Sequence, residues 1–379
     1  MATMTVNKLA PPTWVATPKD LQILATELAR EPRIAVDTES NSLHAYREQV
    51  CLIQFSTPTK DYLLDSIALT DLSILVPIFA NPEIEKVFHA AEYDLICLKR
   101  DFDFTFANLF DTMVAARILA YSAFGLGKLL DLKFSVQVDK KFQKANWGKR
   151  PLSIEMLNYA RLDTHYLLEL SLLMKEELLA ADRWILAQED FAIATVINGQ
   201  TPRKHCPAWE RIGGGAKLDR RQATVLDALC EAREKLAERL DRPVFKVVSN
   251  KMLLQLSQAP PQSLRELEEQ GLSPRQVSRF GRHFLEAINL GLQAPLVQRN
   301  LSQRPSDDFL ARLDALRNWR KNTARKIGVE SDVILPRYLM QKIAEQAPQD
   351  TVTLDDILTQ TPWRAEKFGE GIIQTLAKA

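Results

Sequence analysis

A repeated tetrapeptide constrains this 379-residue chain more tightly than any other feature. LeuAspAlaLeu at 226–229 recurs at 313–316, an offset of 87 residues. At that offset Arg233 matches Arg320, Ala237 matches Ala324, Met252 matches Leu339 and Leu256 matches Ile343. With small gaps, Leu264 and Leu267 pair with Leu354 and Ile357, and Phe280-Gly281 pairs with Phe368-Gly369. Apolar positions that recur at a fixed spacing predict two copies of one small structural unit. Strand patterns are almost absent beyond residue 200, and amphipathic helices are broken by Pro and Gly. Two small all-α domains are therefore expected at 212–294 and 304–379. They would be joined through 295–305 and entered through a linker formed by 200–207 and the triple glycine Gly213–Gly215.

The first 200 residues read differently. Apolar runs at 34–36, 51–56, 61–65 and 86–89 predict short strands, and 92–101, 110–120 and 154–180 predict helices. Strands followed by a strand–helix alternation imply an α/β layer fold with a mixed sheet, filling residues 1–200.

The formal charge of +1 argues against a histone-like or supercharged nucleic-acid binder. Divided at residue 200, it is a sum of opposites. Residues 1–200 hold 20 basic and 26 acidic side chains, net −6, and residues 201–379 hold 29 and 22, net +7. No apolar run reaches about 18 residues and the N-terminal stretch lacks an apolar core with basic flanks, so neither a membrane span nor a signal peptide is expected. Cys51, Cys97, Cys206 and Cys230 are scattered without a CxxC pair, which argues against zinc or a disulfide framework and for thiols in a reducing cytoplasm.

Chemistry concentrates in three places of the acidic half. Asp37 and Glu39 follow the run IleAlaVal, and residues i and i+2 of a strand share a face. Two like charges directly after a buried strand are costly unless a cation compensates them. Asp94 opens the helical stretch after LysValPheHis, where an acid is favoured by the helix dipole alone. Tyr159 and Asp163 lie four apart in a helical segment and so share a face. Four carboxylates are hard oxygen donors that suit Mg²⁺ or Mn²⁺ rather than zinc. Two such ions can stabilise the attacking and leaving oxygens of a phosphodiester displacement.

The order Asp-x-Glu, Asp, Tyr-x-x-x-Asp resembles the signature of the DEDDy 3′→5′ exonucleases. AsnTrpGlyLysArgProLeu at 146–152, leading into TyrAlaArgLeuAspThrHisTyrLeuLeu at 159–168, is similar to the ribonuclease D family. The repeated module behind it resembles the helicase-and-RNase-D C-terminal (HRDC) domain. The resemblance implies an RNase H-like mixed sheet with flanking helices, followed by the two helical domains. It also implies a metal-dependent exoribonuclease that trims RNA 3′ ends, tRNA precursors and other small structured RNAs among them, and releases nucleoside 5′-monophosphates. In that scheme Asp37, Glu39 and Asp163 hold one ion, Asp37 also holds a second with Asp94 supporting it, and Tyr159 positions the nucleophile. No obligate protein partner is evident. An exonuclease acting on DNA, or a binding module without catalysis, are the rival readings.

Around this set the sequence leaves alternatives open. His89 and Tyr93 line the substrate cleft or pack as ordinary strand-end residues. Lys140, Lys141, Lys144, Lys149 and Arg150 contact phosphate or form a solvated loop face. Trp147 stacks on a base or packs under that loop. His165, out of register with the tyrosine, is assigned to structure. The basic helical half is expected to bind RNA in a salt-sensitive manner.

Overall fold

The structure, a computed structural model, describes residues 9–196, 207–298 and 305–379. Cys206, most of the expected 200–207 linker and much of the expected 295–305 joint lie outside them. The chain divides into two compact units: Met1–Glu39, Val50–Gly199 and Gln303–Ala379 form one, and Ser40–Gln49 with Gln200–Ser302 form the other.

In the first unit a six-stranded sheet runs in the order β1 (Thr13–Val15), β4 (Asp61–Leu64), β3 (Val50–Ser56), β2 (Arg33–Ser40), β5 (Glu85–Phe88), β6 (Leu109–Asp111). β1 pairs parallel to β4, β3 antiparallel to β4, and β2, β5 and β6 run parallel. The mixed sheet expected from the sequence is present. β1 and β6, three residues each, are additions to that reading, and residues 110–111, expected as helix, close β6. Three residues are too few for a period to register.

Helices cover both faces. Ile34 and Val36 of β2 point into a core shared with α1 (Pro18–Leu28), α2 (Val76–Ala80) and α3 (Glu92–Phe102). Ala35, between them, points into the opposite core with Val87, Phe110, α4 (Thr112–Ile118), α8 (Leu167–Ala180) and α9 (Trp184–Thr195). α5 (Leu126–Phe134) follows α4 in the chain. The helix expected over 154–180 is three pieces, α6 (Ile154–Ala160), α7 (Leu162–His165) and α8.

The first helical bundle, in the second unit, contains α10 (Arg220–Arg239), α11 (Val244–Val247), α12 (Asn250–Gln258), α13 (Leu264–Glu269) and α14 (Pro274–Gln293). Its two long helices approach closely at Gly291, where a Cβ would stand 2.7 Å from the Val225 backbone. The second bundle, in the first unit, repeats the series as α15 (Asp307–Ile327), α16 (Ser331–Ile334), α17 (Arg337–Gln346), α18 (Thr351–Ile357) and α19 (Pro362–Leu376).

The repeat is more regular than the sequence alignment. Gly281 packs on Leu264 and Leu267, whereas Gly369 packs on Thr351 and Leu354. Leu267 therefore corresponds to Leu354 at the unbroken offset of 87, not to Ile357, and a single residue is inserted before the last helix. Both bundles use one device: buried Arg233 donates to the Val248 carbonyl at 3.0 Å, and half-buried Arg320 donates to the Leu335 carbonyl at 2.8 Å.

No helix of the described residues is long and apolar enough to cross a membrane. Cys51, Cys97 and Cys230 are buried.

Candidate active site

Period two on β2 sorts its last residues. Asp37 and Glu39 lie on the Ala35 face, and Thr38 lies on the Ile34 face with α3. β2 pairs with β5 only over Arg33–Ala35, so Asp37 and Glu39 stand beyond that ladder, at the carboxyl ends of two parallel strands. Open α/β sheets bind ligands at such places.

Asp94 arrives from β5. After Phe88 the chain turns with Ala90 at φ 61°, and the Asp111 carboxylate accepts the amides of Ala90 (3.0 Å) and Ala91 (2.8 Å). Asp111 also caps α4 through Met113 and Val114. This clamp sets the start of α3 and buries Asp94 in its first turn. The Thr38 hydroxyl, unmarked in the sequence because it sits between two acids, donates to Asp94.

Tyr159 and Asp163 straddle a break at Arg161 rather than lying on one unbroken helix, yet both face the same cleft. This cleft, about 650 Å³, is also lined by Asp37, Glu39, His89 and Lys140. Asp94 is not among the residues that line it, yet it meets Asp37, Glu39 and Asp163 electrostatically.

Burial, then mutual repulsion, pushes these carboxyls up: Glu39 to about 9, Asp163 to about 7, and Asp37 well above the carboxylate range. Burial also raises Asp94 to about 7, against the Thr38 hydrogen bond that opposes the rise. Burial and the three cleft carboxylates raise the Tyr159 phenol, which stays protonated at neutral pH. Four interacting carboxyls with no cysteine among them fit a hard divalent cation. Among the described residues, no three histidines, cysteines or carboxylates converge closely enough to ligate an ion as they stand. Thr38 engages one Asp94 oxygen in this arrangement.

The residues around the acids divide. His89 lines the cleft; its Nδ1 lies 2.9 Å from the Thr112 hydroxyl, which itself donates to the Phe88 carbonyl. That network assigns the proton to Nδ1 and leaves Nε2 an acceptor. Trp147 is 1% exposed and stacks on Tyr159 with ring centroids 6.1 Å apart, so the base-stacking role is corrected to support of the tyrosine. Arg150 is consumed by the fold: it grips Asp65 at 2.6 and 2.7 Å and three backbone carbonyls, which corrects its expected phosphate contact.

Lys149 is exposed, and Tyr93 faces a neighbouring cleft instead of the acidic one. Of the remaining lysines in the basic run, Lys140 lines the acidic cleft, Lys141 lies over the Phe142 ring and Lys144 is exposed. Lys128, in the first turn of α5, also lines the acidic cleft, although nothing in its sequence surroundings marks it. The His165 ring bonds to Asp61 at 2.8 Å.

Residues 12–179 match the family described as 3′-5′ exonuclease, and 222–288 and 309–376 each match the HRDC domain. The Caenorhabditis elegans exosome complex component 10 homolog is 35% identical over 265 residues, 69% of this chain and 30% of that protein. The Saccharomyces cerevisiae exosome complex exonuclease RRP6 is 39% identical over 173 residues, 45% of this chain and 24% of that protein. The chain spans half or less of the length of these curated relatives.

Among solved structures, the catalytic core of RRP6 from Trypanosoma brucei aligns with a TM-score of 0.66 and 27% identity, covering 76% of this chain and 82% of that one. Escherichia coli RNase D shares the fold with a TM-score of 0.72 at 23% identity, over 97% and 99% of the two chains. The chain thus carries a 3′-5′ exonuclease region followed by two HRDC domains, and it shares its fold with Escherichia coli RNase D.

Proposed function

We propose that this chain is a divalent-metal-dependent 3′→5′ exoribonuclease. Its nuclease domain would occupy 1–200 and its two HRDC-type domains 212–294 and 304–379. The observation that carries the reading is the convergence of Asp37, Glu39, Asp163 and Tyr159 on one cleft, with Asp94 coupled electrostatically to its three carboxyls. The Saccharomyces cerevisiae relative, named an exosome complex exonuclease, and the similarity to the catalytic core of Trypanosoma brucei RRP6 support the same class.

Asp37, Glu39 and Asp163 would hold one ion, and Asp37 would also hold a second with Asp94 supporting it, Mg²⁺ or Mn²⁺. Two such ions, when bound, stabilise the charge on the attacking and leaving oxygens of an in-line displacement. Tyr159 acts through its retained proton, as a hydrogen-bond donor that orients the nucleophile or the scissile phosphate rather than as a base. Trp147 and Phe142 hold its ring from two sides. His89 presents Nε2 as an acceptor, suited to a ribose hydroxyl at the 3′ end. Lys128 and Lys140 bring positive charge to a cleft that otherwise repels phosphate.

The proposed substrates are RNA 3′ ends, including tRNA precursors, in the cytoplasm and without an obligate protein partner. A time course on 3′-extended tRNA with Mg²⁺ or Mn²⁺ tests this. A ladder shortening from the 3′ end with release of nucleoside 5′-monophosphates is expected, and it is lost in Asp37→Ala. Preference for matched DNA, or RNA binding without any monophosphate released, overturns it.

A further inference from the structure

The two helical bundles are built alike but have diverged at one place. In the second, a concavity of about 290 Å³ is lined by Leu313, Arg317, Arg320, Arg337, Met340 and Gln341. At the offset of 87 the first bundle has Leu226, Cys230, Arg233, Asn250, Leu253 and Leu254. One arginine is common to both, and it is the one that holds a loop carbonyl. The other two arginines are additions, at positions where the same fold is built with Cys230 and Asn250.

The first bundle also shows what the site becomes without them. Asn250 Oδ1 accepts from Arg233 Nη1 at 2.7 Å, which gives the guanidinium a partner within the bundle. Trp209 and Ile212 pack into the same core as Leu226, Cys230 and Leu253, and Gly214 lies against Leu254. The position is thus mostly apolar. In the second bundle Arg337 replaces the acceptor asparagine and sets a second positive charge near Arg320. Arg317 adds a third, and its Asp314 partner is an exposed, weakly held one. No carboxylate lines the concavity among the described residues. Asp314 pairs with Arg317 from outside the concavity and Asp332 acts on Arg320 only at longer range, so three guanidiniums share a lining free of carboxylate, and their planar forks match phosphate oxygens.

Arg337 has a second neighbour. It also lines a cleft of about 720 Å³ whose walls include Tyr93 and Tyr338, 50% and 48% exposed. The far wall begins at Ala90, next in the chain to His89 of the acidic cleft. Aromatic faces followed by arginines are what a single strand uses, with bases on the rings and phosphates on the cations. Several acids of this cleft are already engaged: Asp332 binds Arg117, and Asp190 binds Arg364.

We propose that Arg317, Arg320 and Arg337 form a phosphate site for the RNA backbone upstream of the 3′ end, reached across the Tyr93–Tyr338 cleft. The proposal rests on the ribonuclease reading above. It makes the second bundle an anchor for long substrates and leaves chemistry on short ones untouched.

The test uses the full chain carrying Arg317→Ala with Arg337→Asn, the latter being the residue of the first bundle. Arg320 is left in place because it supports the fold. Binding is measured in EDTA, by anisotropy, to a single-stranded RNA of about twenty nucleotides and to a trinucleotide; trinucleotide hydrolysis is then followed with Mg²⁺. The long RNA should bind roughly tenfold more weakly, with a salt slope shallower by roughly 1.4, since each phosphate contact on a single strand contributes about 0.7. Trinucleotide binding and hydrolysis should match wild type, and Arg317→Lys with Arg337→Lys should restore most of the lost affinity.

Unchanged affinity and slope on the long RNA, in a variant that melts like wild type, overturns the proposal; an arginine face that serves a protein partner gives that result. Equal losses on long and short RNA also overturn it. If wild type cleaves no RNA, the ribonuclease reading fails first and takes the proposal with it.

Discussion

Tyr159 shows how much a single catalytic side chain depends on residues that never touch substrate. Its ring lies against Trp147, which is buried with its Nε1 unpartnered among the described residues. Trp147→Phe therefore sacrifices no hydrogen bond and keeps an aromatic face. It should cost about 1–2 kcal/mol and leave most activity. Trp147→Ala opens a cavity, and large-to-small losses of this kind run to about 3–5 kcal/mol. Its kcat should fall with its stability because the tyrosine loses its backing, and urea melts with single-turnover hydrolysis separate the two effects. Tyr159→Phe removes only the hydroxyl and should slow hydrolysis roughly a hundredfold at unchanged melting temperature.

At this scale the sequence was informative where chemistry demands a residue type. Asp37, Glu39, Asp94 and Asp163 are costly to bury without a cation, so their pattern carries meaning by itself. Thr38 and Lys128 gave no such signal, because a hydroxyl or a lone lysine has many ordinary uses. Trp147 and Arg150 were left between two readings for a related reason: their chemistry suits nucleic acid, but a tightly packed loop needs the same large side chains.

Among the elements, the turn between β5 and α3 decides whether Asp94 reaches the site. Asp111 accepts amides from Ala90 and Ala91 on one side and from Met113 and Val114 on the other. Asp111→Ala strips that clamp and should destabilise the chain by about 2–4 kcal/mol, more than a single lost cap. Activity should fall beyond what unfolding explains, as the start of α3 loosens. Hydrogen exchange at residues 90–96 should rise ahead of global melting. This element was hidden in the sequence because β6 is three residues long and runs straight into α4, so its apolar residues read as helix. The break at Arg161 was hidden too, since 3.6-residue periodicity continues through it. The helical repeat was legible because both copies bury the same apolar positions. Its true register emerged only from the contacts of Gly281 and Gly369, which a gapped alignment of leucines could not supply.

Across the whole first unit, the second helical bundle and the nuclease share buried charge. Arg364, its side chain 1% exposed, donates to Glu189 at 2.9 Å, to Asp190 at 2.7 Å and to the Val333 carbonyl at 2.9 Å. Arg364→Met leaves buried Glu189 without its guanidinium, which should cost about 3–5 kcal/mol.

The opposite charges of the two halves, −6 and +7, take on meaning through the acidic cluster. Burial and mutual repulsion push Glu39 up to about 9 and Asp163 up to about 7, and burial pushes Asp94 up to about 7, against about 4 in an unfolded chain. Between these limits the folded state binds more protons than the unfolded state, so stability must fall as pH rises from about 4 to 8. A divalent cation competes with those protons and relieves the same repulsion. Melting of the metal-free protein should therefore shift downward from pH 5 to pH 8, and Mg²⁺ should raise the melting temperature more at pH 8 than at pH 5. In Asp163→Asn one of the repelling charges is gone. Its metal-free melt should be flatter with pH, and its Mg²⁺ response smaller at every pH. A metal-free melting temperature that climbs across this window, or an Mg²⁺ shift independent of pH, would show that the carboxylates are not the ion's ligands.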